Sequence, residues 1–133
     1  MKKLLLFLIF LGSSVCCTAQ TGEFYNFYFE GNSLLVKGQF DKSIEKYNEA
    51  LKIFQAAYVY YNRGNAYYGK KDYVNAVNDY NKAIKMNERY AEAYCQRGLI
   101  KIATGDKTAC DDIKKAAKFD LDDAKEAEKK NCK

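Results

Sequence analysis

The chain contains no histidine, no proline and no tryptophan. Without imidazole, the commonest general base, the imidazole zinc ligand and the ordinary serine and cysteine triads are excluded. The eight glycines form no phosphate-cradling loop ahead of a helix. Cys95, Cys110 and Cys132 stand 15 and 22 residues apart, which is neither a zinc pattern nor a C-x-x-C redox pair. The acidic pair Asp111-Asp112 reads as a solvated helix face rather than a catalytic dyad. The sequence therefore predicts no enzyme, no cofactor and no metal site. The one chemistry left open is thiol exchange through Cys110 and Cys132. Charge of one sign is also scarce. The formal net charge is +5, with no basic patch carrying groove-reading residues, so nucleic acid is not an expected partner.

A long hydrophobic run is missing as well. The apolar stretch Leu4 to Leu11 is too short to span ~30 Å of hydrocarbon as a helix. It follows Lys2 and Lys3 and precedes the small-residue stretch Gly12 to Gln20. That order predicts an export signal over residues 1–20, cut after Ala19 or Gln20. A buried N-terminal helix is the alternative. A lipid-anchored form would need a small-residue box ending in cysteine, and Ser13-Ser14-Val15-Cys16 matches such a box poorly. Membrane attachment is expected only if Cys16 or Cys17 is lipidated. Cleavage would remove two lysines and leave a net charge of +3. The expected location is exported: periplasm, outer membrane or extracellular. At 133 residues the chain holds at most one domain, here residues 21–133.

What is present is a repeat. Gly31, Gly64 and Gly98 stand 33 and 34 residues apart. Four residues before each comes an aromatic: Phe27, Tyr60, Tyr94. Twelve after each comes a small residue: Ser43, Ala76, Cys110. Nineteen after each comes alanine: Ala50, Ala83, Ala117. A period near 34 with small residues at fixed phase marks a helical repeat array. Each unit reads as two helices joined at Lys37-Gly38-Gln39, Gly69-Lys70-Lys71-Asp72 or Thr104-Gly105-Asp106. A glycine inside a helix costs about 1 kcal/mol relative to alanine. Three such glycines at one phase predict close approach of the second helix of each pair, with Phe40, Tyr73, Tyr47 and Tyr80 filling the flanks. No unit can bury its face alone, so neighbours must stack.

These positions resemble the tetratricopeptide repeat family, TPR for short. The middle unit carries the fullest match: Tyr60, Gly64, Tyr67, Ala76, Tyr80 and Ala83. The first departs at Ser43. The third departs more, with Cys110 at the small position and Lys114 where Tyr47 and Tyr80 sit. The proline usual between units is absent, and Asn87-Glu88 stands there. The resemblance implies an all-α solenoid of three helix-turn-helix units, about 24–56, 57–90 and 91–120. A charged segment with the thin apolar face Leu121, Ala124 and Ala127 follows. It reads as a capping helix at about 121–131, its acidic start and basic end complementing the helix dipole. With the turn before it near Asp120, Cys110 and Cys132 come nearly level on antiparallel helices. Cys95 and Cys110 are offset by roughly 7 Å. A Cys110–Cys132 disulfide is therefore expected, with Cys95 left over.

The resemblance also assigns an inner face to the first helix of each unit. It falls on Tyr25, Tyr28, Asn32 and Leu35, on Tyr58, Tyr61, Asn65 and Tyr68, and on Glu92, Cys95, Leu99 and Ile102. Such a wall suits an extended peptide, because tyrosine rings supply area at low entropy cost and amides bond peptide backbone. Family members with a carboxylate clamp hold a chaperone's C-terminal carboxylates with two asparagines and three basic residues. Asn32 and Asn62 match the asparagines. The basic positions fall on Tyr28, Glu92 and Gln96, and Arg63 and Arg97 lie one phase off, toward the packing. The expected partner is thus another protein or an uncharged or aromatic extended segment, not an acidic tail. The alternative is a structural subunit of an envelope complex or homo-oligomer.

Overall fold

Apolar stripes at helical spacing become seven helices in the computed structural model, which describes the backbone of residues 2–132 and side chains from residue 19 to 132. They are α1 (Lys2–Val36), α2 (Phe40–Ile53), α3 (Ala57–Gly69), α4 (Tyr73–Met86), α5 (Ala91–Thr104), α6 (Ala109–Lys118) and α7 (Asp122–Asn131). No strand occurs among the described residues. Each odd-numbered helix up to α5 packs along the helix that follows it. Successive pairs meet through α2 with α3 and α4 with α5, and α7 lies on α6. The architecture is an α-solenoid of three hairpins closed by one more helix.

The repeated glycines are where each hairpin is tightest. A Cβ on Gly64 would lie 2.7 Å from Cε1 of Tyr80, and one on Gly31 would meet Tyr47 at the same distance. Both tyrosines are fully buried, so neither ring has room to move aside. Ser43 replaces the small alanine of the first unit without leaving a polar atom stranded, because its hydroxyl donates to the Gly31 carbonyl at 2.8 Å. Packing of this kind returns what the glycines cost in helix propensity.

The third unit departs from the constant spacing. The left-handed turn residue stands seven positions after the glycine in every unit: Gly38, Lys71 and Gly105, with φ of 71°, 63° and 75°. After Gly105 the second helix begins only at Ala109, but its inward-facing positions come one residue sooner than in the first two units. The small residue under Gly98 is therefore Ala109 and not Cys110, and the buried alanine is Ala116 and not Ala117. Ile113, not Lys114, takes the place of Tyr47 and Tyr80, its Cδ1 lying 2.7 Å from a Cβ built on Gly98. The shortening also drops the aromatic that Phe40 and Tyr73 supply to the first two turns. Cys110 is thereby rotated out of the core toward α7.

A second difference lies at the start. The repeat spacing places the first unit from about residue 24, whereas α1 is continuous from Lys2. Nothing between the two carries a proline or another strong stop, and Gly22 meets nothing within 4 Å that would force a bend. The side chains of the expected signal up to Thr18, and with them Cys16 and Cys17, lie outside the described side chains. Among the described residues no helix is long and apolar enough to cross a membrane.

The closing helix buries Ala124 fully, with Leu121 and Ala127 packed against the core. Cys110 and Cys132 are bonded, with Cα atoms 5.5 Å apart and a sequence separation of 22. A loop of that size is worth about 3 kcal/mol of chain entropy. With so thin an apolar face, α7 depends on that link. Reduction is expected to lower amide-exchange protection in α7 roughly a hundredfold while α1 to α4 keep theirs. Exchange measured by mass spectrometry with and without reductant checks this, and the Cys132→Ser variant should behave like the reduced protein.

Candidate peptide-binding groove

The first helices α1, α3 and α5 present the expected inner face, and the structure divides its residues into two kinds. Tyr25, Tyr58 and Tyr68 are exposed, at 49%, 36% and 43%. Tyr28, Tyr61, Asn32, Asn62 and Asn65 are half-buried. The half-buried set serves the fold as well as the face. Tyr47 donates its hydroxyl to Asn32 Oδ1 at 2.7 Å, and Tyr80 does the same to Asn65 Oδ1 at 2.7 Å. Each asparagine follows its unit's glycine by one position, so it sits above the ring that the glycine admits. Where the ring is replaced by Ile113, the residue one past Gly98 is Leu99, and no amide is needed.

Asn62 ties the first two units together. Its Nδ2 donates to Asn32 Oδ1 at 3.0 Å and to the Tyr28 hydroxyl at 3.3 Å. Tyr28 in turn meets the Tyr58 ring edge-on at 5.0 Å and stacks on Phe24 at 6.4 Å. Tyr28, Asn32, Asn62 and Tyr58 thus form one cluster between α1 and α3. Tyr61 belongs to a second cluster with Tyr80 at 5.8 Å and Tyr90 at 5.0 Å. Tyr68 stands apart near Tyr73, 5.7 Å away. Asn32 and Asn65 spend their carbonyls on the core tyrosines; the Asn65 amide also bonds the Tyr61 hydroxyl, whereas no donor bond from the Asn32 amide nitrogen is present among the described residues. The Asn32 N–H group is the one available to a peptide carbonyl.

Several buried tyrosine hydroxyls hold their protons more tightly than a free phenol. Burial pushes the Tyr47 hydroxyl up to about 12. Burial also raises Tyr80 and Tyr90, helped by the neighbouring Tyr61 in both cases. Tyr61 rises for the same first reason, and Glu92 and Cys95 add to it.

The third unit does not continue this wall as expected. Cys95, assigned to the inner face, is buried at 4% exposure beneath α7, and its thiol is pushed up by burial and by Asp123 and Glu92. It is the one free cysteine among the described residues. Sequence reasoning also misses Phe24, Ile53 and Phe54. With Gln20, Thr21, Tyr25 and Tyr58 they line a cavity of about 320 Å³ beside Tyr25 and Tyr58. The run Phe24-Tyr25-Asn26-Phe27-Tyr28-Phe29 carries the signal, because so many aromatics exceed what one helix stripe can bury. Phe29 and Phe54 remain 61% and 60% exposed.

The arginines lie on the packing side. Arg63 grips Asp79 through two nitrogens at 2.7 and 2.8 Å and reaches Asn48 at 2.5 Å. Arg97 repeats this on Asp112 at 2.8 and 2.5 Å and on Asn81 at 2.5 Å. Asp112 is buried at 5% exposure, which corrects its reading as part of a solvated face. In the first unit the same two positions hold Glu30 and Lys46, paired at 2.9 Å with the charges exchanged. Neither arginine is turned toward an anion on the inner face. No group of residues suited to hold a metal occurs among the described residues.

Fold and face together define a helical-hairpin repeat scaffold. Likeness to known proteins narrows this by one step. The tetratricopeptide repeat signature matches residues 57–90, and a second TPR repeat signature matches residues 31–71. The TPR domain of Arabidopsis OM64 is similar at 26% identity, covering 84% of this chain and 95% of that one, with a TM-score of 0.79. The first TPR of Spaghetti (RPAP3), bound to an HSP90 peptide, is similar at 23% identity, covering 82% and 90%, with a TM-score of 0.76. The second TPR domain of human RPAP3, in complex with an HSP70 peptide, is similar at 22% identity, covering 86% and 98%, with a TM-score of 0.77. These last two likenesses speak to the fold. No curated protein matches the sequence. Tetratricopeptide repeats are thus identified over residues 31–90 of the chain.

Proposed function

We propose that this protein is a non-enzymatic scaffold, exported from the cell, that holds an extended segment of another polypeptide against α1 and α3. The observation that carries the reading is the pairing of exposed rings with a free amide donor, that of Asn32, on one face. Tyr25, Tyr58 and Tyr68 offer apolar area with a hydroxyl at the rim, and Asn32 offers its N–H group to a peptide backbone. Peptide-bound TPR domains among the structural neighbours support a polypeptide as the ligand class. The clamp that would take an acidic C-terminus lacks its cations: Tyr28, Glu92 and Gln96 stand at those positions, and Arg63 and Arg97 are committed to Asp79 and Asp112. Export rests on the order of charge, apolar run and small residues over 1–20.

Selection of an unbiased twelve-residue peptide library on the full-length chain tests the reading. Enriched peptides should bind in the micromolar range and weaken at least tenfold in the Tyr25→Ser/Tyr68→Ser variant. Both side chains are exposed, so its melting temperature should match the parent's. Peptides that bind the variant unchanged, or tight binding of an acidic C-terminal peptide, would count against it. The exposed Phe29 and Phe54 favour one other reading, a structural subunit whose first hairpin packs permanently on another copy. Sedimentation showing an assembly that does not dissociate on dilution would select that reading.

A further inference from the structure

The inner face changes character between α3 and α7. At its first end stand Tyr25, Phe54 and Tyr58 around the aromatic cavity. At its second end a separate cavity of about 200 Å³ lies between α3, α5 and α7, and Tyr61, Glu92, Cys95, Leu99, Asp123 and Ala127 are among its walls. One side is apolar, made by Leu99, Ala127 and the buried Cys95. Another is the Tyr61 ring, backed by Tyr90. The remaining polar charge comes from two carboxylates, on different helices and of the same sign.

Those carboxylates have no counter-charge. Of the ion pairs among the described residues, none involves Glu92 or Asp123. The three arginines of the chain are all occupied elsewhere: Arg63 by Asp79, Arg97 by Asp112, and Arg89 over the Phe119 ring at 5.4 Å. Lys101 is held by Asp112 at 2.9 Å. Both carboxylates act on the interior of the cavity, since each adds to the upward shift of the Cys95 thiol and Glu92 adds to that of Tyr61. Two unpaired anions thus stand at the rim of an apolar, aromatic-walled recess.

We propose that this cavity takes the side chain of an arginine or lysine from the bound polypeptide, its stem against Leu99 and Ala127 and its charge between Glu92 and Asp123. The argument is charge complementarity. Glu92 and Asp123 are exposed at the rim, so a cation brought there keeps part of its water while gaining two carboxylates and the face of Tyr61. An acidic residue would meet like charge from both helices, which selects against acidic segments independently of the absent clamp. The inference rests on the scaffold reading and deepens it by naming the chemistry of the ligand. The polypeptide would place an aromatic or large aliphatic residue in the cavity at Phe24 and Phe54 and a basic one here.

The test uses the capped single residue N-acetyl-arginine amide, titrated into the full-length, oxidised protein and followed by amide NMR shifts. Saturable shifts at Tyr61, Glu92, Cys95 and Asp123 are expected, at least tenfold weaker in Glu92→Gln/Asp123→Asn. N-acetyl-norleucine amide should bind less tightly by a similar factor. The peptide library supplies the second arm: enriched peptides should carry arginine or lysine, and Glu92→Lys should abolish their binding. Equal shifts from the norleucine compound, or no shift from the arginine compound, would overturn the inference. Groove-binding peptides free of basic residues would overturn it and leave the scaffold standing. A library that yields nothing sensitive to Tyr25 and Tyr68 would instead sink the scaffold, and the single-residue titration would still decide the cavity.

Discussion

Truncating Tyr80 to alanine is expected to remove a large share of the protein's stability. The ring is fully buried and lies against Gly64, and its hydroxyl is bonded to Asn65. Removing a buried aromatic typically costs 3–5 kcal/mol in lost transfer energy and cavity. Total stabilities of domains this size run to about 5–15 kcal/mol. Relaxation offers little relief, because the opposing surface is backbone at a glycine rather than a side chain that can swing in. Urea denaturation should show a large drop in the midpoint at an unchanged slope. The Tyr80→Phe variant isolates the hydroxyl and should lose only about 1 kcal/mol, since Asn65 is half-buried and water can replace the lost donor. Adding Asn65→Leu to Tyr80→Phe should recover part of that loss, because the pair then copies the Ile113 and Leu99 solution of the third unit. A double-mutant cycle that gave no coupling between Tyr80 and Asn65 would contradict this account.

The same coupling explains why the hairpins are legible in the sequence. Gly64, Ala76, Tyr80 and Ala83 announce one another because each matters only if the others are there. The middle unit keeps the full set, so its hairpin can be read residue by residue. In the third unit a constant spacing of twelve, sixteen and nineteen points to Cys110, Lys114 and Ala117. One residue fewer after Gly105 shifts the helix to Ala109, Ile113 and Ala116. The lysine at the expected aromatic position is the clue, since a core cannot take an unpaired ammonium. Ala109, Ile113 and Ala116, at i, i+4 and i+7, form the better apolar stripe.

The groove is less legible, for a physical reason. A tyrosine at an inward phase can lend its ring to a neighbour and its hydroxyl to the rim, and sequence does not apportion the two. Tyr28 and Tyr61 lean on other rings, whereas Tyr25 and Tyr68 keep nearly half their surface. Asn32 and Asn65 read as ligand amides and are half spent on core hydroxyls. The burial of Cys95 depends on where α7 settles, which no local pattern in the third unit encodes.

The second large effect is expected at Arg97. Asp112 is buried on α6, and Arg97 and Lys101 of α5 supply its hydrogen bonds, at 2.5 to 2.9 Å. Replacing Arg97 with methionine keeps the stem and removes the fork, leaving the carboxylate with Lys101 alone. Breaking a buried pair from one side costs 3–5 kcal/mol, and the remaining lysine puts this case at about 3 kcal/mol. Changing both residues, Arg97→Met/Asp112→Leu, should regain most of it, because the dehydration of the two charges is also removed. Burial acts to raise the Asp112 carboxyl, and the bonds and charges of Arg97 and Lys101 more than offset it, so it is held below its ordinary value. A depressed acid stabilises the fold above its unfolded pKa, near 3.9, and that contribution fades as pH falls toward the folded value. Wild-type stability should therefore drop as pH is lowered from about 5 toward 2. In Arg97→Met the curve should start lower at pH 7 and fall less over the same range, since much of the preference for the charged carboxylate is gone. Denaturation midpoints across pH for the two proteins decide it: parallel curves would mean that the guanidinium contributes packing alone, and convergence in acid would mean that it holds the charge.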